Sequence, residues 1–154
     1  METSGIIYLL KPYFKNIAKR FVKRPKLYFL DRGLCAYLSS WNTWKNLESG
    51  AMSGNFFETF VISEIIKSYH HNGQFPSLSY YRDSNQNEID LLIEANAKFH
   101  PIQIKKTANP TKNDIKSFKI LSSIENVGYG SLIWFTYKVR PLTKNVNAIS
   151  IWDI

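Results

Sequence analysis

One carboxylate lies within the apolar face of a predicted helix. The sequence predicts this helix from Asn55 to about His71, and at helical spacing Val61 and Ile65 share an apolar stripe with Glu58. A buried charge loses its hydration, so it needs a partner of opposite charge or a bound ion. Glu58 is therefore a candidate site residue. The alternative is a structural salt bridge to Arg82 or to a basic residue near the N-terminus.

Three further polar side chains lie on two consecutive predicted strands, Glu88 to Glu94 and Phe99 to Lys106. Side chains alternate along a strand, which places Asp90 on a face that carries several acids. The same alternation places Gln103 and Lys105 together on one face of the second strand. The opposite, apolar faces are predicted to carry Ile89, Leu91 and Ile93 on the first strand and Ile102 and Ile104 on the second.

The charges are distributed unevenly along the 154 residues, whose formal net charge is +8. Residues 1–26, the basic arm, carry seven basic residues and one acid, whereas residues 31–94 carry eight acids and four basic residues. Residues 98–119 are again basic, with six lysines and one acid. Carboxylates between two basic segments suit a protein that attracts a polyanion and holds a divalent cation. The alternative is a set of solvated lysine faces without a polyanionic ligand.

Composition limits the remaining classes of protein. With 44% hydrophobic and 15% aromatic residues, the chain is expected to fold around one core. The longest early apolar run, Ile6 to Leu10, is too short to predict a membrane or export segment. Cys35 is alone and lies among apolar neighbours, which indicates packing and a reducing, cytoplasmic location. No histidine spacing indicates a zinc site or a catalytic triad.

The remaining pattern alternates strands and helices, which predicts a mixed α/β domain. Thr111 and Asp114 have the spacing of a capping box, which predicts a helix from there to about Ile124. The other predicted elements are strands at Ile6 to Phe14, Lys26 to Leu30, Leu78 to Asp83, Gly130 to Tyr137 and Val146 to Trp152, and a short helix at Leu34 to Leu38.

The polar residues, taken with their order along the chain, resemble the PD-(D/E)xK nuclease superfamily. In that fold an acid from a helix, an aspartate from the second core strand and an acid-x-lysine triplet from the third converge at one edge of a small sheet. The matching positions are Glu58, Asp90 and Gln103-Ile104-Lys105. More narrowly, nearly the whole chain is similar to the uncharacterised C-terminal domain of many prokaryotic AAA-type ATPases (domain of unknown function 4143 type). The strings that carry this similarity are PKLYFLDRGL at 25–34, GNFFE at 54–58, YYRD at 80–83 and NEID at 87–90.

The resemblance implies a restriction-endonuclease-like fold for residues 26–154, a small mixed sheet flanked by helices. Residues 1–25 would be a basic leading segment similar to the end of a winged-helix linker. The implied chemistry is hydrolysis of DNA phosphodiesters with Mg²⁺ or Mn²⁺, in which Glu58, Asp90 and Gln103 surround the metal and Lys105 stabilises charge in the transition state.

Gln103 stands where the superfamily usually has an acid, and a neutral amide oxygen is a weaker magnesium ligand than a carboxylate. Glu88 shares the face of Asp90 but is expected to lie about 7 Å along the strand, far for a shared ion.

An AAA-type ATPase is the implied partner, either in the same longer protein or as a separate chain. The 154 residues contain no Gly-x-x-x-x-Gly-Lys-Ser/Thr loop, so ATP chemistry would belong to that partner. Nucleic acid is the second expected partner, and no membrane association is expected. The residues expected to contact nucleic acid are Lys19, Arg20, Lys23, Arg24, Arg82, Lys106 and Lys112.

Two other hypotheses remain open from the sequence. The domain could keep the nuclease fold without its chemistry and bind nucleic acid or a protein for the ATPase, an alternative that Gln103 favours. It could also dock a protein through the tryptophans Trp41, Trp44 and Trp134, although burial of these side chains in the core is the simpler interpretation.

Overall fold

The computed structural model of the protein describes residues 5–14, 24–40, 50–123, 125–135 and 138–154. These described residues form eight strands: β1 (Ile7–Leu10), β2 (Lys26–Phe29), β3 (Ser77–Arg82), β4 (Glu88–Ala95), β5 (Lys98–Lys105), β6 (Gly130–Trp134), β7 (Arg140–Thr143) and β8 (Val146–Ser150). They also form the helices α1 (Arg32–Leu38), α2 (Ser53–His71) and α3 (Ser117–Ser122), with single 3₁₀ turns at Lys112–Ile115 and Ile151–Asp153. None of the described helices is long and apolar enough to cross a bilayer.

Six strands form one mixed sheet in the order β3-β4-β5-β6-β8-β7. The central pairs β5–β6 and β6–β8 are parallel, and the outer pairs are antiparallel. A parallel pair needs a crossover connection, and the segment with α3 makes it between β5 and β6. The prediction of a mixed α/β domain is confirmed. The strand β7, which contains Pro141, was not predicted, and proline is tolerated there because β7 is an edge strand.

The first core cluster packs α2 and the β1–β2 hairpin against one face of the sheet. The buried face of α2 includes Val61, Ile62 and Ile66, which are fully inaccessible to solvent. Ile102 and Ile104 of β5 belong to the same cluster, as the alternation predicted. The β1–β2 hairpin is tied to the sheet edge at Tyr80, whose backbone bonds to residues 11 and 13. Glu58 therefore projects from a helix that is fixed on both the sheet and the hairpin.

The second core cluster lies on the other face of the sheet, under α3. The capping box of Thr111 and Asp114 is present, but the turn that it begins is 3₁₀, and the α-helix proper covers only Ser117–Ser122. The helix predicted to reach Ile124 is therefore shorter, and Ile124 itself is outside the described residues. Trp134 is buried here and donates its indole N–H to a backbone carbonyl, so its interpretation as a core residue is confirmed.

A bulge in β4 changes the predicted alternation at the site. In the β3–β4 ladder Ser79 pairs with Leu92 and Tyr81 pairs with Ile89, so two residues of β4, Asp90 and Leu91, oppose the single residue Tyr80. Ile89 consequently packs in the second cluster with Leu92, while Leu91 packs in the first. The prediction that Ile89 shares a face with Leu91 and Ile93 is wrong, because simple alternation cannot anticipate an inserted residue.

Candidate functional site

The Asp90 carboxylate lies where β4 stops pairing with β5. The ladder between these strands begins at the pair Leu91–Ile102, so beyond it the Asp90 side chain takes the place of a backbone partner. Its Oδ2 accepts the backbone N–H of Ile104 at 2.8 Å and the side-chain Nε2 of Gln103 at 2.5 Å. Asp90 is 7% exposed and Gln103 is 4% exposed, so this contact is shielded from water. The bulge is what directs the carboxylate between the two strands.

Burial raises the pKa of Asp90 to about 7, and the neighbouring Glu58 charge adds to this rise. The Ile104 N–H and the ammonium groups of Lys26 and Lys105 oppose the rise without cancelling it. A carboxyl with this pKa can gain or lose a proton near neutral pH, and a cation beside it would favour the ionised form.

Glu58 is half-buried and held by two residues of β2. Its Oε1 accepts the Tyr28 hydroxyl at 2.5 Å and the Lys26 ammonium at 3.0 Å. Burial and the Glu58 charge raise the pKa of Tyr28 far above its ordinary value, so the phenol remains a donor. The salt-bridge alternative for Glu58 is thus realised with a residue of the basic arm, Lys26, while Arg82 pairs with Glu88 instead.

Glu88 shares the Lys26 ammonium with Glu58. Lys26 Nζ contacts an oxygen of each carboxylate, and Arg82 Nε lies 3.4 Å from the other oxygen of Glu88. Burial lowers the pKa of Lys26, but the Glu58 and Glu88 carboxylates outweigh it, so the pKa is raised overall and Lys26 stays charged. The Lys26 ammonium also lies 5.3 Å from the centroid of the Tyr80 ring. Glu88 thus shares a positive group with Glu58 of α2, while the expectation that it lies far from Asp90 for a shared metal ion stays a prediction.

Lys105 is at the end of β5, beside Trp134 in the parallel ladder, and its side chain is exposed. It directly follows Ile104, whose backbone N–H binds Asp90, and its charge lowers the pKa of Asp90, so it lies beside the same site. Glu58, Asp90, Gln103 and Lys105 are therefore neighbours in the structure, although they come from α2, β4 and β5.

The residues expected to bind nucleic acid lie at separate places. Arg24, Arg82, Lys106 and Lys112 are all exposed. Arg82 adjoins the site through Glu88, and Lys112 lines a groove of about 720 Å³ together with Lys116 and Lys119 of the α3 region. Lys19, Arg20 and Lys23, like Trp41 and Trp44, are outside the described residues.

Comparison with known proteins gives the family. The family model described as "Domain of unknown function (DUF4143)" matches residues 53–154, which include α2 and the whole six-stranded sheet. The chain belongs to this family. A second model, "Domain of unknown function (DUF8612)", matches residues 1–45 and so includes β1, β2 and α1. The site of the DUF4143 domain therefore receives Lys26 and Tyr28 from a segment that a different family model describes.

Two curated relatives match the DUF4143 chain. They are the uncharacterized proteins Mb2031c of Mycobacterium bovis and Rv2008c of Mycobacterium tuberculosis, each 30% identical over 106 residues. The alignment covers 69% of this chain and 23% of each relative, so it spans about a quarter of their length. No solved structure matches.

The DUF4143 site offers oxygen donors for a hard cation. Gln103 Oε1 is buried and has no hydrogen-bond partner, while Nε2 of the same amide is fixed on Asp90. A buried oxygen without a donor is unfavourable unless a cation or water reaches it. Asp90 and Gln103 together supply one carboxylate and one carbonyl oxygen, which suffices for Mg²⁺ with waters and a substrate phosphate. Within the described ranges no three His, Cys, Asp or Glu side chains converge on one point, and Glu58 Oε1 is already occupied by Lys26 and Tyr28.

Two residues of this arrangement were missed in the sequence. Lys26 and Tyr28 are two positions apart on β2, so they point to the same face of the strand and reach Glu58 together. A lysine and a tyrosine separated by one residue on a short strand were a signal of a shared partner. The identity of that partner depends on how the hairpin docks onto α2, which no local pattern encodes.

Proposed function

We propose that this domain hydrolyses DNA phosphodiesters with Mg²⁺ or Mn²⁺ at a PD-(D/E)xK-type site and serves an AAA-type ATPase. The observation that supports this most is the contact of Asp90 with Gln103, next to the charges of Glu58 and Lys105. A half-buried acid, a buried acid, an amide and a lysine from three elements thus lie together where the pairing of β4 and β5 ends.

Each residue has a role that its surroundings suit. When bound, Mg²⁺ would polarise the scissile phosphate and make a water molecule more acidic. Asp90 and the free carbonyl oxygen of Gln103 would hold the ion. Lys105, exposed at the end of β5, would pair with the phosphate and offset the charge that develops on it. Glu58, fixed by Tyr28 and Lys26, adds negative charge that favours the cation.

A plasmid-nicking assay tests this proposal directly. Supercoiled plasmid is incubated with the protein in Mg²⁺ or Mn²⁺ and, as a blank, in chelator. We expect nicking to be lost in Asp90→Asn and Lys105→Ala. The matched controls are Glu64→Gln, which changes an acid on the outer side of α2 paired with Lys67, and Lys98→Ala at the opposite end of β5. Nicking that survives Asp90→Asn would contradict the proposal.

A non-catalytic binding module is the second candidate, and one observation favours it. Lys26 and Arg82 together offset the charges of Glu58 and Glu88, so this part of the site is electrostatically balanced without a metal ion. Such a module would bind DNA or a protein in chelator as well as in Mg²⁺ and would not nick plasmid. The ATPase as partner rests on the sequence resemblance, the cytoplasmic location rests on the lone Cys35, and both stay predictions.

A further inference from the structure

The contact between Lys26 and the two carboxylates joins segments that two different family models match. Lys26 lies in β2, within the segment matched by DUF8612, whereas Glu58 and Glu88 lie in the DUF4143 match. The ammonium contacts both carboxylates, and its side chain is only 25% exposed. A positive charge from one segment is thus inserted into the acidic part of a site built by the other.

The position of this charge conflicts with divalent-cation binding. Two cations close together repel each other, more strongly in a half-buried site than in water. The Lys26 charge acts on Asp90, so it lies near the residue that would hold Mg²⁺. Lys26 also binds the Oε1 of Glu58, the oxygen that Tyr28 holds in place.

We propose that Lys26 restrains the site: its ammonium takes the place of part of the metal's charge, and a divalent ion binds tightly only when Lys26 leaves Glu58 and Glu88. This inference rests on the proposed function, because it concerns the metal site of that proposal. It adds a route of control, since whatever moves the β1–β2 hairpin moves Lys26.

The hairpin that carries Lys26 is also connected to the strands of the site. It joins the sheet at Tyr80, where the Tyr80 N–H donates to the Lys11 carbonyl and the Tyr13 N–H donates to the Tyr80 carbonyl. The Tyr80 hydroxyl donates to the Arg24 carbonyl, two residues before Lys26. Tyr80 is also the residue opposite the Asp90–Leu91 bulge. One residue therefore links the hairpin that carries Lys26 to the strand that carries Asp90.

The test is metal affinity in the Lys26→Met variant, which removes the charge and keeps most of the side-chain length. Mn²⁺ binding is followed by the loss of the free-ion electron paramagnetic resonance signal on addition of protein, and by the rise in Tm that Mn²⁺ produces. We expect Lys26→Met to bind Mn²⁺ about tenfold more tightly than the wild type, since one nearby like charge is removed. Its Tm without metal should be lower, because two carboxylates lose their counter-ion, and Mn²⁺ should restore it.

Two controls separate charge from packing. Lys26→Arg keeps the charge and should bind Mn²⁺ like the wild type. Lys67→Met makes the same substitution in the half-buried pair with Glu64, away from the site, and should change nothing. If Lys26→Met does not fold, Lys26→Gln replaces it with the same expectation.

The outcomes distinguish this inference from the proposed function. If wild type and Lys26→Met bind Mn²⁺ equally, with binding lost in Asp90→Asn, the metal site stands and the restraint by Lys26 is wrong. If neither binds Mn²⁺ at millimolar concentration, the metal site itself is absent and both proposals fall. The double variant Lys26→Met/Asp90→Asn gives the third outcome. If it still binds Mn²⁺ more tightly than the wild type, the metal lies on Glu58 and Glu88 without Asp90. That result would support the restraint of metal binding by Lys26 and contradict the proposed nuclease site.

Discussion

The side-chain amide of Gln103 binds Asp90 through its nitrogen, at 2.5 Å, and leaves its buried oxygen without a partner. Asp90 thereby fixes the orientation of the Gln103 amide, while the amide oxygen stays available to another ligand. In this position a glutamate would present an oxygen to Asp90 instead of a donor. The glutamine therefore makes the metal-free site more stable than a glutamate would, and it lowers the negative charge available to a metal.

Gln103→Glu should lower the stability of the metal-free protein and raise its affinity for a divalent metal ion. Without metal we expect the variant to lose about 1–3 kcal/mol of unfolding free energy, because a buried hydrogen bond is replaced by two facing carboxyls. With Mn²⁺ it should bind roughly tenfold more tightly than the wild type, because a second carboxylate faces the ion. Denaturant unfolding in chelator and Mn²⁺ titration measure the two effects. Gln74→Glu, at an exposed position after α2, is the control. An unchanged stability in chelator would show that the Gln103–Asp90 bond contributes nothing.

The stability of the metal-free protein should fall as pH rises from about 4 to about 7. The folded state keeps the Asp90 proton up to a pKa of about 7, while the unfolded chain releases it near the ordinary value of 3.8. Between these values the folded state binds more protons, so its stability decreases with pH, by about 4 kcal/mol at most, and is level above pH 7.

Asp90→Asn isolates this effect, since the amide oxygen can still accept the Ile104 N–H and the Gln103 Nε2–H. In chelator at pH 8 we expect this variant to be more stable than the wild type, and the difference should vanish at pH 4. Urea unfolding across this pH range measures it, and Glu64→Gln should follow the wild type. Parallel profiles for wild type and Asp90→Asn would contradict a raised pKa for Asp90.

Tyr28→Phe should destabilise the protein by about 1–2 kcal/mol, because the buried hydroxyl donates to the Glu58 carboxylate. This loss of unfolding free energy is small for a hydrogen bond to a charged group, because Lys26 remains as a second partner of Glu58. Thermal or urea unfolding measures it. Tyr37→Phe, with a side chain that is 72% exposed on α1, is the matched control. Equal stabilities of the two variants would mean that the Tyr28 hydroxyl does not help to hold Glu58.

Nucleic-acid binding should depend on the groove that Lys112, Lys116 and Lys119 line. Among the residues that the structure describes, its lining includes these three lysines and no acid, so its field is positive. Changing the three lysines to glutamine should weaken DNA binding and lower the slope of log affinity against log salt by about 3, one unit per lost phosphate contact. Fluorescence anisotropy at several salt concentrations gives the slope. The same changes at Lys11, Lys67 and Lys98 should have a smaller effect, and equal losses would show that only net charge matters.

Local patterns were sufficient for much of the fold. Alternation identified β4 and β5, apolar spacing identified α2, and the Thr111–Asp114 capping box was found where its spacing predicted. These features depend on residues only a few positions apart, which is why the sequence reveals them. The edge strand β7 was not predicted from the sequence because it is four residues long and contains a proline.

The sequence by itself determined which side chains could do chemistry: an acid on the apolar face of α2, an acid on β4, and an amide and a lysine one residue apart on β5. Only the tertiary structure decided how they meet. The bulge at Asp90–Leu91 moves Ile89 to the other face and turns Asp90 toward Gln103, and the docking of β2 on α2 brings Lys26 between Glu58 and Glu88. An inserted residue and a contact over 32 positions of chain depend on the packing of the whole domain, so no local period contains them.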